Sequence, residues 1–247
     1  MKALILASGV GERLRPLTDE TNKGMLPIGD KPVLEHIVEN LARHGLKRIV
    51  MAVGVKKEQV IEHFKDGSAF GVSIEYAESD RPQQTAGEVA NARQFLRSEE
   101  NFIVHYGDAI TNLEFSKFVN FHVESGALAT GPRMKEIYTE SGIYVCGDDG
   151  RVHSLCEKPF INDLIELPGI YSNVPIFCFQ SRILDDSNVA FGKDISHDLI
   201  PPLIEGGKVM AFFQPDLWHV DIGNVKKYHA ACEAYEKGEL AKLRKLA

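Results

Sequence analysis

The chain has 247 residues, of which 44% are hydrophobic, and a formal net charge of −7 at pH 7. This size suits one α/β domain with a sizeable core, and the acidic balance argues against non-specific nucleic-acid binding, which needs a broad basic surface. The four cysteines form no Cys-x-x-Cys pair and no segment approaches the ~20 apolar residues of a membrane span, so we expect a reduced, cytoplasmic protein without a zinc site.

Apolar runs alternate with helical periodicity through the first half of the chain. The pattern predicts strands over residues 4–7, 48–53, 72–76 and 102–106, and helices over 32–44, around 60–64 and over 86–96. Strands that alternate with helices in this way form parallel sheets. We therefore predict an α/β fold with a doubly wound, mostly parallel, Rossmann-like mixed sheet that binds ligands at the carboxyl ends of its strands.

The pattern changes after residue 126. Strand-like runs over residues 127–130, 142–145, 152–155 and 170–179 predict a small lobe of mixed or antiparallel strands that covers one side of the first half. A further strand is predicted over 209–213. A helix carries Ile195, Leu199 and Leu203, and a charged helix is expected over 225–246. The chain is thus predicted to be a single domain, residues 1–247, with a C-terminal helix in 224–247.

A turn of small residues follows the first strand. Gly9 and Gly11 allow the backbone to approach a ligand and to direct its N–H groups at an anion. Arg13 and Lys23 follow in the same loop, so the predicted anion carries several charges, as a polyphosphate does. The third glycine of the dinucleotide fingerprint is missing, and no P-loop string occurs.

Two aspartates occupy positions where a metal ion could bind. Asp108 directly follows the strand at 102–106, where a side chain projects into the crevice at the end of the sheet. Asp221 is flanked by Val220 and Ile222, and a carboxylate buried between them needs a partner. From the residues alone, metal ligand and helix cap both stay open for each aspartate.

The opening loop resembles that of the sugar-1-phosphate nucleotidyltransferases. The matching string is Gly9-x-Gly11-x-Arg13-Leu14-x-Pro16-Leu17-Thr18, followed by Lys23 and Pro27. The family includes glucose-1-phosphate thymidylyl- and uridylyltransferases and mannose-1-phosphate guanylyltransferases, and the likeness runs along nearly the whole chain. It implies a GT-A-like fold. The chain departs from the family at Ser8, Glu12 and Gly24. We expect Glu12 to point away from the ligand, paired with Arg15 or Lys2.

The resemblance implies which residues bind a nucleoside triphosphate. They are Ala7, Ser8, Gly9, Gly11, Gln84, Thr85 and Gly87. Arg13 and Lys23 would act as catalytic cations that stabilise the triphosphate and the departing pyrophosphate. Gln84 replaces the first glycine of the family's Gly-Thr-Ala-Gly, and Glu88 replaces the alanine after it. These two replacements predict an altered base pocket.

The second half carries the sugar-binding residues that the resemblance implies. Glu157-Lys158-Pro159 matches the family's Glu-Lys-Pro, in which the glutamate contacts sugar hydroxyls and the catalytic lysine contacts the sugar phosphate. Gly142 and Asn173 match further positions that touch the sugar. The proline after Lys158 predicts an extended backbone at this lysine.

The implied reaction joins a nucleoside triphosphate to a sugar 1-phosphate and releases pyrophosphate, with Mg²⁺ held by Asp108 and Asp221. Residues 1–125 would bind the nucleotide and residues 126–223 the sugar. Glucose 1-phosphate with UTP or dTTP is the first expectation, while mannose 1-phosphate with GTP and a CTP-dependent variant stay open. A homo-oligomer without nucleic-acid or membrane partners is expected.

Two other functions stay open. A non-catalytic relative that binds sugar nucleotide and regulates a partner subunit is favoured by the three departures in the opening loop. The retained aspartates and cations argue against it. A cytidylyltransferase with a non-sugar acceptor on the same fold is disfavoured by Glu157-Lys158-Pro159 and Asn173.

Overall fold

The first half of the chain forms the parallel part of one large sheet. The computed structural model describes residues 1–137, 142–160, 164 and 167–238. The first-half elements are β1 (Lys2–Ala7), β2 (Pro27–Ile28), β3 (Lys31–Pro32), α1 (Val33–Arg43), β4 (Arg48–Val53), α2 (Lys57–Phe64), β5 (Ser73–Glu78), α3 (Thr85–Asn91), α4 (Arg93–Leu96), β6 (Asn101–Tyr106), β7 (Ala109–Thr111) and α5 (Phe115–Ser125). Strand β1 lies between β4 and β6, and β5 flanks β4, all in parallel. The predicted alternation is confirmed; α5 was not predicted.

The second half continues the same sheet. Its elements are β8 (Ala129–Met134), β9 (Gly142–Cys146), β10 (Val152–Glu157), β11 (Ile170–Asn173), β12 (Ile176–Gln180), a π-helix (Ile195–Leu199), α6 (Ile200–Glu205), β13 (Val209–Phe213), β14 (His219–Asp221) and α7 (Val225–Glu236). Strand β12 pairs antiparallel with β6, and the sheet runs on through β8, β11 and β9 to β10. The expectation that these strands cover one side of the first half was wrong, because the buried strand β12 pairs with the edge of β6.

Helices pack on both faces of the sheet, as a doubly wound fold requires. Along β1 the side chains alternate: Ala3 and Ile5 belong to one core, while Leu4 belongs to the other. Helices α1, α2, α5 and α7 contribute to the first core, and α3 and α6 contribute to the second. The predicted α/β class is therefore confirmed, and small two-stranded antiparallel sheets accompany the central one.

Several predicted elements end earlier than expected. The strand predicted over 170–179 is two strands, β11 and β12, because Pro175 has no N–H to donate to a neighbour. The helix predicted to carry Ile195 and Leu203 is the π-helix followed by α6. Helix α7 ends at Glu236, and residues 239–247 of the predicted C-terminal helix lie outside the described residues. No helix of the described chain is long and apolar enough to cross a membrane.

A small sheet of β7 and β14 brings distant parts of the chain together. The two strands are antiparallel, with Asp221 opposite Ala109. The N–H of Ile222 donates to the backbone oxygen of Asp108 at 2.9 Å. Gly107, just before this aspartate, donates its N–H to the Leu6 carbonyl at 2.9 Å, and a Cβ there would lie 2.6 Å from that same oxygen. Only glycine fits this close approach.

Two buried histidines make the free energy of unfolding depend on pH. Burial lowers the pKa of both His105 and His122 from 6.5 to about 4. The unfolded chain therefore binds these protons at a higher pH than the folded chain does. Stability is retained above about pH 6.5 and is lost as the pH falls towards 4, by about 2 kcal/mol for each histidine at pH 5. Urea unfolding at pH 7 and pH 5 measures this loss.

A variant isolates one of these contributions. His122 is hydrogen-bonded to Thr130 Oγ1 at 2.8 Å and to Asn101 Oδ1 at 3.1 Å, and His122→Gln keeps a polar side chain beside both. We expect His122→Gln to lose about 2 kcal/mol less than the wild type between pH 7 and pH 5. His229→Gln, at an exposed position, serves as the control. An unchanged pH dependence in His122→Gln would contradict the assignment.

Candidate active site

The glycine loop after β1 is held by a threonine. Gly11 has a φ of 73° and starts a short 3₁₀-helix, Glu12–Leu14. Thr18 Oγ1 donates to the Gly11 carbonyl at 2.8 Å, and a Cβ on Gly11 would lie 2.9 Å from Thr18 Cγ2. A Cβ on Gly9 would meet nothing within 4 Å, so the backbone of Gly9 faces open space. The loop thus combines a fixed conformation with an accessible backbone.

A cleft of about 270 Å³ opens beside this loop. Its lining includes Ala7, Ser8, Gly9, Lys23, Gln84, Thr85, Glu88, Tyr106 and Asp108. Most residues that the sequence assigned to the nucleotide therefore lie together. Gly11 and Gly87 lie outside this lining. A Cβ on Gly87 would come within 3.3 Å of the backbone of Ala190 and Phe191, so Gly87 allows close packing instead.

A second cleft of about 440 Å³ adjoins the first. Its lining includes Arg13, Tyr106, Asp108, Gly142, Glu157, Lys158, Asn173, Ser196, His219, Asp221, Asn224 and Lys227. The residues assigned to the sugar and both aspartates are all present here. Tyr106 and Asp108 line both clefts, and burial raises the pKa of Tyr106, which keeps its hydroxyl neutral. The two clefts therefore meet at Asp108.

Each aspartate is paired with a lysine. Lys23 forms an ion pair with Asp108, and Lys227 Nζ lies 3.0 Å from Asp221 Oδ2. Burial alone would raise the pKa of Asp221, but the charge and hydrogen bond of Lys227 and the Gly223 N–H outweigh it, so this pKa lies below its usual range. Each carboxylate is therefore paired with an ammonium group.

The two aspartates fit Mg²⁺ in part. No group of three or more His, Cys, Asp or Glu side chains that could hold a metal occurs in the described part of the chain. Mg²⁺, however, binds commonly through one or two carboxylates and substrate phosphates. Asp108 and Asp221 line one cleft and supply that donor set. The residues present fit a cation that arrives with a phosphorylated ligand.

The wall of the larger cleft offers acceptors to a polar ligand. A Cβ on Gly142 would lie 2.7 Å from Glu157 Oε2, so glycine makes room for this carboxylate. Burial raises the pKa of Glu157, while His197 and Lys158 partly oppose the rise. Asn173 is buried and its Oδ1 has no hydrogen-bond partner among the described residues. These oxygens suit the hydroxyl groups of a sugar.

The expectation of an extended backbone at Lys158 was wrong. This residue has a φ of 47°, in the left-handed region, although a proline follows it. Such a φ in a residue other than glycine costs on the order of 1–3 kcal/mol. The turn comes immediately after Glu157, the last residue of β10, and Lys158 lines the cleft. The chain thus bends directly after β10, where the proline alone favoured an extended backbone.

Three residues of the smaller cleft differ from the usual residues of the family: Ser8, Gln84 and Glu88. Ser8 Oγ donates to Glu88 Oε1 at 2.7 Å, and burial raises the pKa of Glu88, partly offset by this and other hydrogen bonds. Gln84 has a φ of 61° and a ψ of 168°, a conformation that is essentially restricted to glycine. The chain therefore keeps a glycine-like backbone at position 84 without the glycine.

The other two departures also have local structures. Glu12 is exposed, but Lys2 pairs with Glu75 and Arg15 pairs with Asp19, so the expected partners of Glu12 were wrong. Gly24 is buried, and a Cβ there would lie 2.6 Å from Leu34 Cγ. Packing of α1 against the loop thus explains this glycine.

Sequence reasoning missed several lining residues. Lys227 lies in the first turn of α7, and Asn224, which accepts its N–H at 3.0 Å, caps that helix. Ser196 lies in the π-helix, whose cap Asp194 accepts a hydrogen bond from Thr85 Oγ1 at 2.8 Å. An Asn before a helical run was a readable cap signal, but it does not indicate which side of the helix faces a cleft.

Comparison with known proteins settles the family. A family model described as "Nucleotidyl transferase" matches residues 2–238. The chain belongs to the nucleotidyl transferase family. It is 31% identical over 244 residues to the UTP--glucose-1-phosphate uridylyltransferase of Synechocystis sp., with 94% of this chain and 62% of the relative covered. It is 32% identical over 234 residues to the mannose-1-phosphate guanylyltransferase catalytic subunit beta of Danio rerio, with 92% and 62% covered.

These relatives confirm the resemblance to sugar-1-phosphate nucleotidyltransferases, although the chain spans only 62% of the length of each. Among nucleotidyl transferases of known structure, a putative glucose-1-phosphate thymidylyltransferase from Bacillus anthracis, in complex with a sucrose, superimposes with a TM-score of 0.83. The alignment covers 98% of this chain and 99% of that one at 22% identity. At this identity the likeness shows the fold alone, and it agrees with the predicted GT-A-like class.

The backbone at Gln84 predicts a stabilising substitution. Gln84→Gly should relieve a backbone conformation that costs on the order of 1–3 kcal/mol. Glycine also gives the unfolded chain more conformational freedom, which offsets about 0.5–1 kcal/mol of this stabilisation. We expect the free energy of unfolding to rise by about 1 kcal/mol, measured by urea or thermal unfolding.

The neighbouring residue provides the matched control for this substitution. Gln83 has an ordinary backbone, so Gln83→Gly should lower stability by about 0.5–1 kcal/mol. A destabilised Gln84→Gly protein would show that side-chain contacts of Gln84 outweigh the backbone cost.

Proposed function

We propose that the protein transfers a nucleotidyl group from a nucleoside triphosphate to a sugar 1-phosphate and releases pyrophosphate. The observation that carries the proposal is the pair of adjoining clefts that meet at Asp108. The smaller cleft has the glycine loop and Gln84 on its walls, which suits a nucleotide. The larger cleft has Glu157 and Lys158, which suits a phosphorylated sugar.

Catalysis of nucleotidyl transfer requires mainly that the two substrates are positioned and that their negative charges are neutralised. A phosphate oxygen of the sugar 1-phosphate attacks the α-phosphorus of the triphosphate, and the bond to pyrophosphate breaks. The attacking phosphate monoester has a second pKa of about 6, so it is ionised near neutral pH and needs no general base. Both reactants are anions that repel each other, and fixed cations lower that repulsion.

The cations of the two clefts suit different phosphates. Lys23 lines the smaller cleft, and Arg13 lines the larger cleft beside Gly223. Both cations would stabilise the triphosphate and the departing pyrophosphate. Lys158 lines the larger cleft and would hold the attacking phosphate. Glu157 and Asn173 would accept hydrogen bonds from sugar hydroxyls. Mg²⁺, when bound by Asp108 and Asp221, would supply positive charge at the α-phosphate.

The proposal also includes the identity of the nucleotide base and of the sugar. Glucose 1-phosphate with UTP or dTTP remains the first choice, and mannose 1-phosphate with GTP the second. The named relatives include both a uridylyltransferase and a guanylyltransferase. A panel of UTP, dTTP, GTP, CTP and ATP against several sugar 1-phosphates, read out as pyrophosphate release, tests the activity. If no combination of triphosphate and sugar 1-phosphate releases pyrophosphate, the non-catalytic regulatory function is favoured instead.

Activity should depend on a divalent cation and on Asp108. Asp108→Asn keeps the side-chain shape but removes the charge that would hold Mg²⁺ and that pairs with Lys23. We expect pyrophosphate release to fall by about 10²-fold, or ~2.7 kcal/mol in activation free energy. EDTA should abolish release and added Mg²⁺ should restore it. Full turnover in EDTA, or a normal rate in Asp108→Asn, would overturn the metal assignment.

The two lysines should affect different substrates. Lys158→Met should raise the KM of the sugar 1-phosphate by about tenfold and that of the triphosphate less, because Lys158 lies in the larger cleft. Lys23→Met should do the reverse. Both variants keep the apolar stem of the side chain, and each serves as the control for the other. Equal effects on both substrates would contradict this division.

A further inference from the structure

Lys227 lies beside one of the two proposed metal ligands, on the wall of the larger cleft. Its Nζ lies 3.0 Å from Asp221 Oδ2, and its side chain is 28% exposed and lines the larger cleft. The family motif gave this position no role. The next residue towards the N-terminus, Lys226, is exposed. Two adjacent lysines on one helix therefore have different surroundings, and only Lys227 is aimed at the cleft.

The local backbone holds both members of this ion pair. Asp221 Oδ1 accepts the N–H of Gly223 at 2.9 Å, which leaves Oδ2 for the lysine. The Asn224 side chain accepts the N–H of Lys227 at 3.0 Å, so the helix starts at a defined place relative to the aspartate. A cation that binds through Asp221 Oδ2 must therefore compete with the ammonium group.

The same arrangement is repeated at the other aspartate. Lys23 pairs with Asp108, and the backbone of Ile222 is hydrogen-bonded to Asp108, next to Asp221. Each carboxylate thus has an ammonium group on it in the absence of a metal ion. A divalent cation on both carboxylates would release two ammonium groups beside the clefts.

Once released from Asp221, the ammonium group of Lys227 would lie in a cleft that carries further cations. Arg13, Lys158 and Lys227 all line the larger cleft, so positive side chains gather where the sugar phosphate of the proposed function would lie. A lysine ammonium on a flexible four-carbon stem can change partners over a few ångströms. Asp221 and a phosphate oxygen are alternative acceptors for the same group.

We propose that Lys227 exchanges partners: it neutralises Asp221 in the free protein, and when a divalent cation takes that carboxylate it contacts a phosphate oxygen of the ligand in the larger cleft. The phosphate half of this proposal rests on the proposed function. The first half concerns only the lysine, the aspartate and the cation. If the ion pair between Lys227 and Asp221 served only to stabilise the fold, Lys227 would neither compete with a cation nor contact a phosphate.

Mn²⁺ titration without any substrate tests whether a divalent cation competes with Lys227 for Asp221. Trp218 is the only tryptophan of the chain and lies three residues before Asp221, so its fluorescence and the electron paramagnetic resonance of free Mn²⁺ give two readouts. Lys227→Met should tighten Mn²⁺ binding by about tenfold, because a competing charge beside the carboxylate is removed. Lys227→Gln, a second uncharged variant, should do the same.

Two controls keep this result specific. Lys226→Met removes the same charge from the exposed neighbour and should change Mn²⁺ binding less than about twofold, because solvent screens it. Lys227→Arg retains the charge and should also bind like the wild type. Unchanged Mn²⁺ affinity in both Lys227→Met and Lys227→Gln, or an equal gain in Lys226→Met, would overturn the exchange.

Kinetics with Mg²⁺ at saturation test the second half. Lys227→Met should raise the KM of the sugar 1-phosphate by about tenfold, although its cation affinity has improved, and Lys226→Met should not. Unchanged KM and kcat in Lys227→Met would overturn the phosphate contact. If no substrate pair releases pyrophosphate, the proposed function and the phosphate contact fall together. The Mn²⁺ titration still decides the exchange at Asp221, so the two failures are distinguishable.

Discussion

Backbone pairing between β7 and β14 is the constraint on which the arrangement of the clefts depends. It sets Asp221 opposite Ala109 and joins Ile222 to Asp108 by a hydrogen bond. Two carboxylates from remote parts of the chain are thereby held side by side at the end of the sheet. Helix α7 begins just after β14, so its first turn is held at the same edge of the cleft. A shift of this short pairing would separate the aspartates and move the helix with them.

Charge balance explains the lysines around these carboxylates. A carboxylate that is partly removed from water is costly unless a cation or hydrogen-bond donors accompany it. Lys23 comes from the loop after β1 and Lys227 comes from α7, so each aspartate has a cation from a different element. The fold thus remains electrostatically balanced without a metal ion, and it keeps positive groups within reach of an arriving phosphate.

Two residues with costly backbone conformations lie on the walls of the clefts. Gln84 faces the smaller cleft and Lys158 the larger one, and both have positive φ. Neighbouring contacts hold the first of them: the N–H groups of Ala86 and Gly87 both donate to the carbonyl of Lys193. Strain that a surrounding network maintains is common where a side chain must be presented to a ligand. With Gln84 where the family usually has glycine, a long polar side chain lies on the wall of the smaller cleft.

The sequence by itself determined the parallel half of the sheet, and most of the site residues that it predicted line the two clefts. Strand and helix periodicity depends on local alternation of apolar residues, and the motif at residues 9–18 depends on a turn that Gly11 and Thr18 close within a few residues. It did not determine that β12 joins the edge of β6, since edge pairing is a contact between residues far apart in the chain. It also did not indicate Lys227, whose charge is like that of Lys226 until the packing of α7 directs one side chain into the cleft and the other into solvent. Local hydrogen bonding and periodicity are thus encoded in short segments, whereas the partner of each charged group depends on which distant strands pair.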